Sequence, residues 1–378
     1  MNNEEILLGG GNFLSPSHRA EDLLPKDEIE RRIELLRSQT FYKGNSNFPE
    51  RDSKALNERF KDLERQIRIY GYPDFQYLLY GMDVKSQDEQ DSYVNGWEFV
   101  CRRNYLNSLR SSHNSTCILR NKFYFGIFAK AIGLKTPENV AYIENGIIHD
   151  INNQFTSITF SQLMYLSPDS FCKELDGENG VCVFHIESNN GILFCNGKPI
   201  SEEDFMRQVS SGSYLVQRRI EQHDVLKSIY PLSINTMRIV TVRSLKTGKI
   251  SVWPSILRVG AYGNHIDNSS QGGLAINLNT DTGTLCKYGF RWWKFGGRFT
   301  EHPDTKVVFD GFKLPFVEEA KQAALYFHSM LKDIHSIGWD IVITPDGPAF
   351  IEGNDDWEIP QSQMECGIRD RFIEEFYD

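Results

Sequence analysis

Two periodicities of apolar residues divide this chain, and their order limits the architectures open to it. Up to residue 132, apolar side chains recur at helical spacing among many charges, over 27–38, 52–70, 93–109 and 121–132. Gly71 and Pro73 close the second of these segments, and Gly133 and Pro137 the last. Beyond that point short β-branched and aromatic runs take over. Asn145-Gly146 predicts a type I′ hairpin over 141–150. Further strands are expected over 170–174, 181–187, 192–194, 214–220, 236–243, 250–259, 273–278, 339–344 and 349–352. Two helices are embedded among them. A short one is opened by Ser201 with Asp204 three residues on, and a long one over 317–335 starts after Pro315. Helices first, then antiparallel strands with inserted helices, predict an α+β architecture and exclude a doubly wound parallel sheet. At 378 residues the chain exceeds one ordinary core. We expect a helical region over 1–115 and two α+β segments over 116–212 and 213–378.

Composition narrows the partners. Hydrophobic residues at 40% and charged residues at 24% are ordinary for a folded protein. The formal net charge of -10 argues against a nucleic-acid or anionic-membrane binder, which needs a basic surface, but leaves room for a local basic pocket. Seven cysteines include no C-x-x-C pair, and Cys172, Cys182 and Cys195 fall in strand-like segments, as reduced core thiols do. The first eight residues are acidic and poor in apolar side chains, unlike a signal peptide, and no apolar run approaches the roughly 20 residues that span a bilayer. The expectation is a cytoplasmic protein without membrane insertion.

The most informative stretch lies near the C-terminus. Pro345-Asp346-Gly347 is a turn signal between two β-branched runs. With those three residues as the loop, Asp340 falls opposite Glu352, and Glu352 and Asn354 share one strand face. Facing carboxylates repel, and a divalent cation resolves the repulsion; hard oxygen donors suit Mg²⁺ or Mn²⁺. An exposed hairpin end carrying ordinary surface acids is the alternative.

Neither a P-loop nor a dinucleotide-binding glycine pattern is present. Instead Lys173 sits on a strand ahead of a turn containing Gly177 and Gly180, where a point charge and close backbone approach suit phosphate. A plain turn with a surface lysine reads equally well. Arg238 and Arg258 interrupt strands that otherwise look buried, as arginines paired with an anion do, or as solvent-facing residues of an alternating strand. Asn268, ahead of Gly272-Gly273, adds an amide. The insert 291–298 is rich in cations and aromatics, suiting either a sugar or carboxylate ligand or a packed flap.

In order and spacing these pieces resemble the ATP-grasp superfamily, in particular its sugar-transfer-associated branch, related to the α-L-glutamate ligases. The resemblance covers about residues 121–363. It is carried by Asn121-Lys122, by Lys173, by the strand Leu215-Val-Gln217-Arg218-Arg-Ile220 with Glu221 or Gln222 beyond it, and by Asn235-Thr-Met-Arg238. Arg258 with Asp267-Asn268 and Gly272-Gly273, then Asp340 with Glu352-Gly-Asn354, complete the series. The chain departs from the pattern at Glu174, where proline is frequent, and at Asp355-Asp356-Trp357, where many relatives carry Pro-Gly.

The resemblance implies an ATP-grasp fold, in which two α+β subdomains grip ATP behind a helical N-terminal region. Lys122, Lys173, Gly180, Gln217, Arg218, Ile220 and Glu221 would contact the nucleotide, and Asp340, Glu352 and Asn354 would hold Mg²⁺. Arg238, Arg258 and Asn268 would serve the acylphosphate. The implied reaction is amide formation between a small-molecule carboxylate and an amine, on a carboxylated sugar or related compound in polysaccharide or natural-product biosynthesis. A phosphotransferase using the same ATP site, or a non-catalytic nucleotide-binding regulator, are the alternatives.

Overall fold

The computed structural model describes residues 19–109, 115–175, 183–189, 191–292 and 294–377. They form two compact units assembled from separate stretches of chain. The first takes the residues up to Thr116, Val225–Trp339 and those from Asn354 onward; the second takes Cys117–Asp224 and Asp340–Gly353.

In the first unit, the helix Lys26–Ser38 buries Ile29, Ile33 and Leu36, and the helix Leu56–Tyr70 buries Leu63 and Ile67, the one-sided spacing anticipated from sequence. These side chains join Tyr42, Tyr77 and Tyr80 in a core shared with Ile256, Ala275 and Phe290 of the sheet. Each such side chain contributes about 1.5–3 kcal/mol of transfer free energy. Most residues of a seven-stranded sheet, ordered β13-β12-β11-β10-β9-β14-β15, fall in this unit, whereas Asp340–Thr344 and Gly347–Gly353 of its last two strands fall in the second. The strand ranges are β9 Thr236–Arg243, β10 Ile250–Val259, β11 Leu274–Asn279, β12 Thr284–Arg291, β13 Arg298–Phe299, β14 Ser336–Thr344 and β15 Gly347–Asn354. Neighbours from β9 to β13 are antiparallel. Val240, Val242 and Trp253 pack with Trp357, Phe372 and Phe376, the last two from the helix Arg369–Phe376. Phe327 of the helix Val317–Met330 stacks on Trp339 at 4.6 Å.

Several elements differ from the sequence expectation, among them the helices Phe160–Leu166 and Asp224–Ile229, which were not foreseen. The long helix stops at Met330, not 335, because Leu331 leaves helical geometry and the chain turns into β14. Strand β12 and the helix Arg369–Phe376 were not foreseen either.

The second unit holds an eight-stranded sheet in the order β3-β2-β1-β8-β4-β5-β6-β7. Here β1 is Asn139–Glu144, β2 Ile147–Asp150, β3 Thr156–Ile158, β4 Asp169–Glu174, β5 Val183–Asn189, β6 Ile192–Cys195, β7 Lys198–Pro199 and β8 Ser213–Arg218. Asn145 and Gly146 both have positive φ, 50° and 77°, and set the anticipated hairpin with Glu144 opposite Ile147. One face of the sheet, with Ile143, Cys172, Ile186 and Val216, packs under Phe160, Leu163 and Phe205 of two short helices. Strand alternation sends Phe171, Lys173, Leu215 and Gln217 to the other face. Cys172 and Cys195 are buried free thiols as expected; Cys182 lies outside the described residues. Among the described residues, no helix is long and apolar enough to cross a membrane.

Candidate nucleotide and phosphate site

Lys173 occupies the middle of the second unit's sheet, with Leu215 of β8 beside it on one side and Val183 of β5 on the other. Burial pushes its ammonium down to about 8; the Glu352 carboxylate opposes that shift and Lys122 adds to it. Two groups from other stretches of chain, Lys122 and Glu352, thus act on the Lys173 charge. Lys122 reaches this place because Asn121 caps the helix Lys122–Ala131, its side-chain oxygen accepting from the backbone N–H of Phe123 and Tyr124. The Lys122 ammonium donates to the Leu175 carbonyl at 3.4 Å.

Gln217 lies on the Lys173 face, buried, its amide donating to Asn139 Oδ1 at 2.9 Å. Arg218, one residue on, points to the opposite face. Its guanidinium pairs with Glu138 at 2.7 Å and donates to the Leu166 carbonyl, and its backbone N–H donates to the Glu138 carbonyl at 2.9 Å. Ile220 is half-buried and Glu221 exposed in the segment that follows β8. Gly180 lies outside the described residues.

Asp340 is almost fully buried within β14, whereas Glu352 and Asn354 are half-buried on β15. The two strands are joined at Pro345-Asp346, and Gly347 opens β15 at φ 114°, a conformation that glycine tolerates. Asn354 donates to the Gly338 carbonyl at 3.4 Å. Among the described residues, no group of three or more His, Cys, Asp or Glu side chains is arranged to hold a metal. The expected donor set has only two carboxylates and an amide, so it suits an ion whose shell is completed by phosphate and water, as Mg²⁺ prefers.

The first unit carries the two arginines expected from sequence to meet an anion. Arg238 and Arg258 lie on adjacent strands, with Arg238 opposite Ile256 and Arg258 opposite Thr236. Arg258 Nε donates to Thr236 Oγ1 at 3.0 Å and lies 3.6 Å from Asp267 Oδ2. The same Asp267 oxygen accepts the Thr236 hydroxyl at 2.5 Å and the Thr236 backbone N–H at 3.0 Å. Asp267 thereby fixes the hydroxyl rotor, and the hydroxyl fixes the guanidinium. Gly273 permits this, since a Cβ there would lie 2.3 Å from the Asp267 carbonyl oxygen. Arg238 is buried, and its Cδ would lie 3.2 Å from a Cβ at Gly338.

Sequence reasoning chose Asn268 and passed over Asp267. Asn268 caps the short turn Ser269–Gln271, its side chain accepting from the Ser270 N–H. The overlooked signal was the acid one residue earlier, which lies 3.6 Å from the half-buried Arg258 guanidinium. Asn235 is likewise structural, donating to the Leu226 and Tyr230 carbonyls.

The chain belongs to the sugar-transfer-associated ATP-grasp family, whose model matches residues 101–375. No curated protein matches it. Among solved structures it is similar to N5-carboxyaminoimidazole ribonucleotide synthetase from Thermotoga maritima, at 12% identity and TM-score 0.36, over 67% of this chain and 48% of that one. It is also similar to the D-alanine–D-alanine ligase of Bacillus anthracis, at 13% identity and TM-score 0.38, over 70% of this chain and 65% of that one. The D-alanine–D-alanine ligase of Coxiella burnetii gives 11% identity and TM-score 0.34, over 65% of this chain and 50% of that one. The chain thus spans between about half and two-thirds of those proteins' lengths.

Proposed function

We propose that this protein is an ATP-dependent carboxylate–amine ligase acting through an acylphosphate, on a carboxylated sugar or a related small molecule. The observation that carries the reading is Lys173, set in the sheet on the face that also presents Gln217, with Lys122 and Glu352 from two other stretches of chain acting on its charge. A half-buried lysine beside a second lysine is costly unless a polyanion takes up the charge, and a triphosphate does so. Asp340, Glu352 and Asn354 would hold the divalent ion, which when bound offsets charge on the phosphate oxygens.

In this reading Lys122 and Lys173 hold phosphate oxygens of ATP while a substrate carboxylate oxygen attacks the γ-phosphorus. The bond from that phosphorus to the β–γ bridging oxygen breaks, and ADP leaves. An amine nitrogen then attacks the acyl carbon and gives up a proton, and inorganic phosphate departs with the electron pair of the C–O bond. Arg238, and Arg258 steered by Thr236, would stabilise the acylphosphate and the oxyanion of the tetrahedral intermediate.

Phosphate release should require ATP, a carboxylate and an amine together, with an amide product seen by mass spectrometry from mixed substrate libraries. A phosphorylated product formed without amine would replace the ligase with a kinase. ATP–Mg²⁺ binding without turnover on any pool would leave a regulator. Glu352→Gln should abolish turnover while the melting temperature holds; normal turnover in that variant removes Glu352 from the site.

A further inference from the structure

Arg291 and Arg298 of the first unit each lie against two aromatic rings, and of these two Arg298 alone has an ion pair. Arg298 sits 4.2 Å from the centroids of both Phe48 and Tyr288 and is ion-paired with Glu50. That arrangement is a satisfied packing unit. Arg291 lies 4.5 Å from the Tyr262 ring and 4.7 Å from the Phe295 ring, and its Nε donates to the Gly272 carbonyl at 3.3 Å. Among the described residues it has no carboxylate partner, and no other acceptor for its side-chain N–H groups.

The surroundings hold Arg291 in place without using its outer edge. Tyr262 has φ 57° and donates its backbone N–H to Asp304 at 2.7 Å, which holds the main chain there. Asn264, two residues on, donates to the Gln271 carbonyl and accepts the Tyr230 hydroxyl at its own carbonyl. On the other side the Arg291 N–H meets the Gly297 carbonyl, and Gly297 donates to Asn47. Gly272 has φ 97°, and a Cβ on it would stand 3.0 Å from Arg291 Nη2. Three loops thus converge on one guanidinium, which lies against two rings and, among the described residues, has no acceptor at its Nη groups. Tyr262 and Phe295 remain 48% and 38% exposed, large for aromatics packed against a cation, and Lys294 adds a second positive charge at the lip.

An open guanidinium edge takes a carboxylate in bidentate fashion, and exposed ring surface beside it takes the apolar face of a cyclic ligand. We propose that Arg291, Tyr262 and Phe295 form a binding site for a carboxylate-bearing sugar ring, such as a uronic acid. The site lies at the strand end one register step beyond Arg258, since Val259 pairs with Leu274 and Leu274 with Arg291. Its assignment as the acceptor subsite rests on the ligase reading; the binding itself does not.

The test is equilibrium binding by saturation-transfer NMR on the full chain, with glucuronate and glucose as probes. ADP–Mg²⁺ binding is read separately as a melting shift. Glucuronate should bind at least about tenfold more tightly than glucose, a difference that one charge-assisted pair supplies. R291Q should erase that preference, and F295A, on the exposed lip, should weaken both sugars, with the ADP–Mg²⁺ shift unchanged in each. Equal binding of the two sugars, no binding of glucuronate, or unaltered glucuronate binding by R291Q overturns the proposal. Loss of the ADP–Mg²⁺ shift in the unmodified protein would strike the ligase reading and leave this site standing.

Discussion

Lys173 shows how one side chain is placed at a cost that a ligand can repay. Its ammonium is pushed down to about 8 because the β4 backbone holds it away from water, and Lys122 works in the same direction. Substituting methionine removes the buried charge and keeps the volume, so K173M should melt no lower than the parent protein. Its turnover should fall about 10²–10³-fold, the usual effect of losing one preorganised group on developing charge. Differential scanning fluorimetry and ADP release would check both; full turnover in K173M takes the lysine out of the phosphate site. Individual residues of this kind were readable from sequence where the chemistry is unusual for the position. A lysine on a strand before glycines and arginines inside apolar runs both stood out. Asp267 did not, because its importance lies in a hydroxyl 31 positions away that only folding brings within reach.

At the level of elements, the helix Val317–Met330 is bonded to its sheet through one histidine. Trp339 Nε1 donates to Thr241 Oγ1, so the Thr241 hydrogen is directed to His328 Nδ1 at 2.8 Å, and His328 Nε2–H donates to the Ile334 carbonyl. With one ring nitrogen accepting and the other donating, the imidazole is neutral, and burial holds it down at about 3. The unfolded chain takes up that proton near 6.5, while the folded protein refuses it until about pH 3. This contribution to stability is therefore complete above pH 6.5 and is lost progressively as the pH falls toward 3. Melting temperatures measured across that window should decline, and H328Q should flatten the decline. Elements with strong one-sided patterns, such as Leu56–Tyr70, were legible in advance. Strand β12 was not, because Lys287 and Gly289 break its alternation; Gly289 is there for close packing under Phe309. The helix Arg369–Phe376 buries only Phe372 and Phe376, too few positions to show a period. The helix expected to reach 335 overran because Leu331 and Ile334 are buried in the turn that follows it and extend the apolar pattern.

For the molecule as a whole, order along the chain and order in space differ. The family match begins at residue 101, yet helices before that point bury Ile256, Ala275 and Phe290 of the sheet. A chain starting at residue 101 would expose that face, so it should aggregate or bind hydrophobic dye where the full chain does not. Size-exclusion chromatography of the two proteins decides it, and a monodisperse, cooperatively melting short form would show the helices to be dispensable. The α+β class was recoverable from periodicity alone. The compact units were beyond it, since each gathers stretches separated by more than a hundred residues.

The Asp267 carboxylate gives the first unit a dependence that its arginines alone would not reveal. One oxygen anchors both the main chain of β9 and the hydroxyl that aims Arg258, and the loop bearing that oxygen is held close by a glycine with no room for a methyl group. Loosening that strap would leave the guanidinium in place but aimless, so inactivity traced to this loop need not involve any group that meets the reactants.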